Sequence, residues 1–280
     1  MKYNLFFCLF LALSLMTCNE NMPEIACLSC DTGTQVITPD DRRVLIEEFT
    51  GVKCVNCPQA SSLIDELISI HGDRVVAVSM HTGFFSTPYS NSTFDFRTAE
   101  GTQILNFLKP PVGYPSAVFN RTQFDSEEDL QIEQISKWSG LVQNELNKPV
   151  VVNLSVENSY NTDNRTLEVR AALTPTEDIG DDNIYISVML TETGIVDVQL
   201  TPSGKQTDYT HKHVFRDILT NFSGDPIDEV LEKGVTLNFD YSLTIPEEWN
   251  AQNCDVLVFV HRNAGSSKEV LQATHAGVAE

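Results

Sequence analysis

Two thiols three positions apart, in Lys53-Cys54-Val55-Asn56-Cys57-Pro58, are the residues of this chain best spaced to do chemistry. An apolar run, Val44 to Phe49, precedes them and an amphipathic one, Gln59 to Ile70, follows, so both cysteines open a helix directly after a strand. There the unpaired N–H groups and the positive end of the helix dipole stabilise a thiolate and lower the first cysteine's pKa. That is the physical basis of dithiol–disulfide exchange, with an exposed Cys54 attacking and a more buried Cys57 resolving. The same spacing also suits a permanent short disulfide that staples the helix start, or a zinc knuckle.

Other residues could join this chemistry. Glu48 could carry a proton to and from Cys57, because burial would raise its pKa towards neutral pH; alternatively Glu47 faces inward instead, or the Glu48 carboxylate is solvated at an edge. Cys27-Leu28-Ser29-Cys30 is a second such pair, with no strand or helix to frame it. It reads as a local disulfide, with an electron relay to Cys54 and Cys57 as the sharper alternative. A zinc site joining all four thiolates conflicts with an oxidising compartment and a core strand in between, so no metal is expected. His211-Lys212-His213 would place two imidazoles on one face of an extended segment, yet no third ligand can be assigned. His81 ends a strand at the same sheet edge as Cys54, where it could stabilise a thiolate or serve as a structural hydrogen-bonding group. Phe84, Phe85 and Tyr89 could wall a peptide site or form a satellite core. Cys254, entering the apolar run Val256 to Val260, reads as a buried free thiol.

The elements that must position these groups change in kind at mid-chain. From Val44 to about Asn147 strands and helices alternate: strand Val44 to Phe49, helix Pro58 to Ile70, strand Arg74 to His81, helix Asp95 to Leu108, strand Ser116 to Asn120 and helix Glu127 to Leu146. Such alternation predicts an α/β domain with a partly parallel sheet over 42–148. After Pro149 the spacing predicts strands Val150 to Val156, Thr166 to Leu173, Ile184 to Thr191, Val235 to Leu243, Val256 to His261 and Glu269 to His275, an all-β antiparallel β-sandwich over 149–280. Val198 to Ser223 reads as a long loop with a short helix.

The chain opens Met1-Lys2-Tyr3, then runs almost unbroken apolar from Leu5 to Met16, then Thr17-Cys18 and polar Asn19-Glu20-Asn21. This is an export signal over 1–17, containing Cys8, and its apolar core falls short of the about 20 residues a membrane span needs. Leu15-Met16-Thr17-Cys18 resembles a lipobox, which makes Cys18 the expected lipidation site and membrane anchor. Polar residues over 18–41 then read as a flexible tether. Formal charge is −21, with acidic residues spread along the chain, which argues against a nucleic-acid partner.

The α/β half resembles thioredoxin-type domains through the strand–Cys54-x-x-Cys57–helix order, through Val112-Gly113-Tyr114-Pro115-Ser116, and through Glu48 six residues before Cys54. The resemblance implies a cis-proline at Pro115 beside the sulfurs, serving as a platform for an extended peptide, a buried acid at Glu48, and no cofactor. It departs in Val55-Asn56, in lacking a tryptophan before Cys54, and in showing one short strand after Pro115 where a hairpin is expected. With its lipobox, Phe49-Thr50-Gly51, Gly113-Tyr114-Pro115 and Pro246-Glu247-Glu248-Trp249-Asn250-Ala251, the whole chain is similar to the twenty-eight-kilodalton outer-membrane-protein family of bacterial lipoproteins. That similarity implies an outer-membrane or cell-surface location, with thiols or disulfides of exported proteins or peptides as partners; a non-enzymatic binding or adhesion lipoprotein with a vestigial redox site is the alternative.

Overall fold

The computed structural model describes residues 40–180 and 183–279. The expected leader and nearly all of the tether, with Cys18, Cys27 and Cys30, lie outside the described residues. The elements in chain order are β1 (Val44–Thr50), α1 (Cys57–His71), β2 (Val75–His81), α2 (Ala99–Phe107), β3 (Ser116–Phe119), α3 (Ile135–Leu146), β4 (Val152–Asn161), β5 (Thr166–Pro175), β6 (Ile184–Glu192), β7 (Ile195–Thr201), β8 (Gly204–His211), β9 (Val214–Ile218), β10 (Asp225–Pro226), β11 (Leu237–Thr244), β12 (Cys254–Arg262) and β13 (Val270–Gly277). Among the described residues no helix is long and apolar enough to cross a membrane.

Strands dominate, and the largest sheet is mixed. Its order is β13-β12-β6-β9-β2-β1-β3, with β10 added to β6. β1 runs parallel to β2, and β2 parallel to β9, while the remaining pairs are antiparallel. All seven residues of β1 and all seven of β2 are buried, as parallel strands covered on both faces should be. One face carries Val44, Ile46, Val75 and Ala77 against Ala60, Ile64 and Leu67 of α1 and Trp138 and Val142 of α3. The other carries Leu45, Phe49, Val78 and Met80, packed with Ile104 of α2, Met189 of β6 and Phe259 of β12.

A three-stranded antiparallel sheet, β11-β5-β4, forms a second layer over the far end of the large one. Leu154, Val169 and Leu173 meet Ile186, Val188, Val256 and Val258 there. The antiparallel half is therefore not closed on itself: its larger layer continues, through β9, into the sheet that holds β1 and β2. A third sheet pairs β7 with β8.

Three differences from the expected elements have local causes. Val198 to Ser223 is no long loop, because Pro202-Ser203-Gly204 turns β7 back as β8, and β9 follows directly. The helix expected from Asp95 starts at Ala99, since Thr93 and Phe94 N–H groups donate to the Asp197 carboxylate and Thr98 caps the helix by accepting from Gly101 N at 2.9 Å. The helix expected from Glu127 starts at Ile135, because Ile132 exchanges backbone hydrogen bonds with Ala117. That bridge is a single antiparallel contact which the sequence does not announce.

Candidate functional site

Cys54 and Cys57 form a disulfide across the turn between β1 and α1, with Cα atoms 5.4 Å apart. The turn closes by Cys54 N donating to Gly51 O at 3.0 Å, and Pro58 lies in the first turn of α1 where its missing N–H is no loss. Gly51 is required by its surroundings: a Cβ there would stand 2.5 Å from the Phe85 carbonyl carbon. That close approach lets Lys53 N donate to Phe85 O at 2.9 Å.

The expected contrast between an exposed Cys54 and a buried Cys57 is absent. Their exposures are 3% and 2%, because β7 lies over the turn. Leu200 N donates to Val52 O at 2.8 Å, and the buried Gln199 amide donates to Cys54 O at 3.1 Å and to Gly51 O at 3.3 Å. Apolar surface survives beside the covered bond, where Val55 and Phe84 are 41% and 86% exposed.

Below the disulfide lies a cavity of about 20 Å³, the size of one water molecule, bordered by Cys57, Glu48, Ser79, His81, Gln199, Tyr209 and His211. Glu48 points to the α1 side of β1 and is 1% exposed. It accepts from Ser79 Oγ at 2.6 Å on one oxygen, and among the described residues its other oxygen has no partner. Burial drives its pKa up to about 7 against the opposing hydrogen bonds from Ser79 and Thr50. Glu47 is buried too, on the opposite face, where Arg121 holds both its oxygens at 2.7 and 2.8 Å. Strand alternation thus gives adjacent carboxylates separate surroundings, one paired with a cation and one not.

His81 and His211 meet edge-on, ring centroids 5.5 Å apart, with Phe96 against both. Burial lowers the His81 pKa well below its ordinary value and that of His211 to about 4. His81 is therefore neutral near pH 7 and offers no positive charge to a thiolate. His211 and His213 do not share a face: β8 ends at His211, and His213, at φ 51°, turns towards Asp65. Among the described residues no three of His, Cys, Asp and Glu are placed to hold a metal ion.

The Tyr114–Pro115 bond is cis, immediately before β3 and next to β1 in the sheet. Tyr114 packs edge-on to Phe85 at 5.9 Å. The aromatic residues after His81 divide: Phe84 faces solvent, whereas Tyr89 packs on Val52, Phe96, Ile195 and Val214 with Lys53 and Lys205 ammonium groups each 5.2 Å from its ring. Cys254 is buried, forms no disulfide among the described residues, and has its thiol pKa pushed up by burial to about 12.

Gln199, Tyr209 and Ser79 were not legible as site residues. Ser79 needs the β1–β2 register, which sets it opposite Glu48. Gln199 and Tyr209 need the β7–β8 hairpin, whose one available signal was the Pro-Ser-Gly turn between two alternating runs.

HBP35 of Porphyromonas gingivalis superimposes with a TM-score of 0.70 at 16% identity, covering 87% of this chain and 78% of that one. A protein of Agrobacterium tumefaciens reaches 0.56 at 15% identity, covering 87% and 97%. At these identities the likeness is one of fold. None of the curated proteins matches this chain. The model of the family described as outer membrane protein Omp28 matches residues 111–280, from the loop before Pro115 through every later strand, and the chain belongs to that family.

Proposed function

We propose that this is an outer-membrane lipoprotein, anchored through a lipid on Cys18, whose thioredoxin-like portion exchanges disulfides with exported proteins through Cys54 and Cys57. The observation that carries this reading is Glu48: a buried carboxyl without a cation, at about pKa 7, sharing a small cavity with Cys57. A structural staple has no use for such a group, whereas a resolving cysteine does. The parallel β1-α1-β2 unit with the disulfide at the helix start further supports it.

In the oxidising direction, a client thiolate attacks the Cys54 sulfur and the Cys54–Cys57 bond breaks. Cys57 leaves as a thiolate and takes the Glu48 proton. A second client thiolate then attacks the client sulfur of the mixed disulfide and releases Cys54 as a thiolate. The client loses two electrons, and the pair gains them, with Cys54 as a thiolate and Cys57 as a thiol; the reverse sequence reduces a client. Val55 and Phe84 would receive the apolar part of the client, with Pro115 beside it.

A second reading, a binding lipoprotein with a retired redox site, draws support from the burial of both cysteines beneath β7. The two separate by equilibrating the mature protein against glutathione buffers, with alkylation and mass spectrometry as readout. A potential between about −120 and −270 mV is expected for exchange, and a value below about −300 mV would mark a structural disulfide and favour the second reading.

A further inference from the structure

A cavity of about 670 Å³ opens between the C-terminal end of α2, the segment after β3 and the β12–β13 turn. It shares no lining residue with the cavity at the disulfide. Its size falls within the range of small-molecule sites, roughly 300–1,000 Å³. Phe107 and Leu130 supply apolar wall, and Lys109, Arg121 and Lys268 supply cations.

This gathering runs against the composition. In a chain of net charge −21, three cations converge, and the carboxylate that lines the cavity with them, Glu269, is already taken. Glu47 is held by Arg121, and Glu269 by Lys148 at 3.0 Å. Among the described residues neither Lys109 nor Lys268 has a carboxylate partner; the Lys268 ammonium sits 4.2 Å over the Phe107 ring instead. Arg121 is 2% exposed, and its buried Nη1 has no partner among the described residues. Burial, then the nearby Arg121 and Lys109 charges, lower the Lys268 pKa, so the cations repel one another as they stand. An anion seated among them would relieve that repulsion and complete the unpaired donors.

We propose that this cavity binds a small amphipathic organic anion, its acidic group between Lys109 and Lys268 at the Arg121 end and its flat apolar body against Phe107 and Leu130.

The test uses 8-anilinonaphthalene-1-sulfonate as probe and the uncharged N-phenyl-1-naphthylamine as control, titrated by fluorescence into the mature protein. One-to-one binding of the anion is expected, with the control at least about tenfold weaker. The double variant K109E/K268E, changed at exposed and half-exposed side chains, removes both charged contacts and should bind the anion at least about tenfold more weakly, the loss expected from even one of them. Ser267→Trp, which projects a ring into the cavity, should abolish the signal while melting temperature and circular dichroism stay near those of the parent. Equal binding of the two probes, undiminished binding by K109E/K268E, or no one-to-one binding of the anion would each overturn the assignment.

Discussion

A carboxyl group buried with only hydroxyl partners keeps its proton well above the usual carboxylate range, and Glu48 does so up to about pH 7. The consequence for stability has a definite sign. Because the folded pKa is raised from 4.5, Glu48's contribution is fully present below about pH 4.5 and is lost as pH rises through about 7. The span corresponds to about 3 kcal/mol. Glu48→Gln keeps the shape without the titration. The urea-unfolding free energy of this variant minus that of the parent should therefore climb by about 3 kcal/mol between pH 4.5 and 8, and a flat difference would show that Glu48 is not buried in this way. Subtraction cancels the buried histidines. His211, depressed to about 4, acts in the opposite sense and withdraws stability as pH falls from its unfolded value through 4. Residues of this kind were half legible: the position of Glu48 relative to Cys54 marked it, but only the register with Ser79 distinguishes it from Glu47.

Among the elements, β7 decides how the disulfide meets a reagent. Gln199 spans Gly51 and Cys54 with one amide, and backbone bonding from Leu200 to Val52 continues the cover. Removing that amide in Gln199→Ala gives up hydrogen bonds worth about 1 kcal/mol each and should speed reduction of the bond by dithiothreitol about fivefold or more, followed as the rate of thiol alkylation. An unchanged rate would place the opening elsewhere. The elements flanking the cysteines were legible because their periods are strong: apolar Val44 to Phe49, and buried positions Ala60, Ile64 and Leu67 at helical spacing. The hairpin was not, since Lys205, Gln206, Thr207 and Asp208 on β8 are all exposed and bury no apolar stripe that would reveal a strand. Helix starts were misplaced for a related reason. Thr98 and the Ile132–Ala117 bridge fix them through contacts between segments that periodicity does not see.

At the scale of the molecule, the composition changes near residue 148, yet the strands on either side of it share one sheet. Ser79 N donates to His213 O at 2.7 Å where β9 joins β2, and Val270 N donates to Asn120 O at 2.7 Å. Arg42 donates to the Val270 and Leu271 carbonyls while contacting Glu145 of α3. A fragment limited to 42–148 would expose Leu45, Phe49 and Met80, which pack in the intact chain against Met189 and Phe259. Such a fragment should be molten or aggregated, lacking the sharp thermal transition of the parent, while the parent unfolds in one step by both tryptophan fluorescence and circular dichroism. A well-folded fragment would contradict this account.

The same continuity governs the order in which the chain can be made. Arg42, two residues before β1, finds its Val270 acceptor 228 residues later, so a contact that ties down the start of β1 waits for β13. A polypeptide emerging N-terminus first carries β2 with an unpaired edge until β9 arrives. Folding must wait on synthesis, and a product interrupted before residue 214 presents an open strand edge that invites pairing with its own copies.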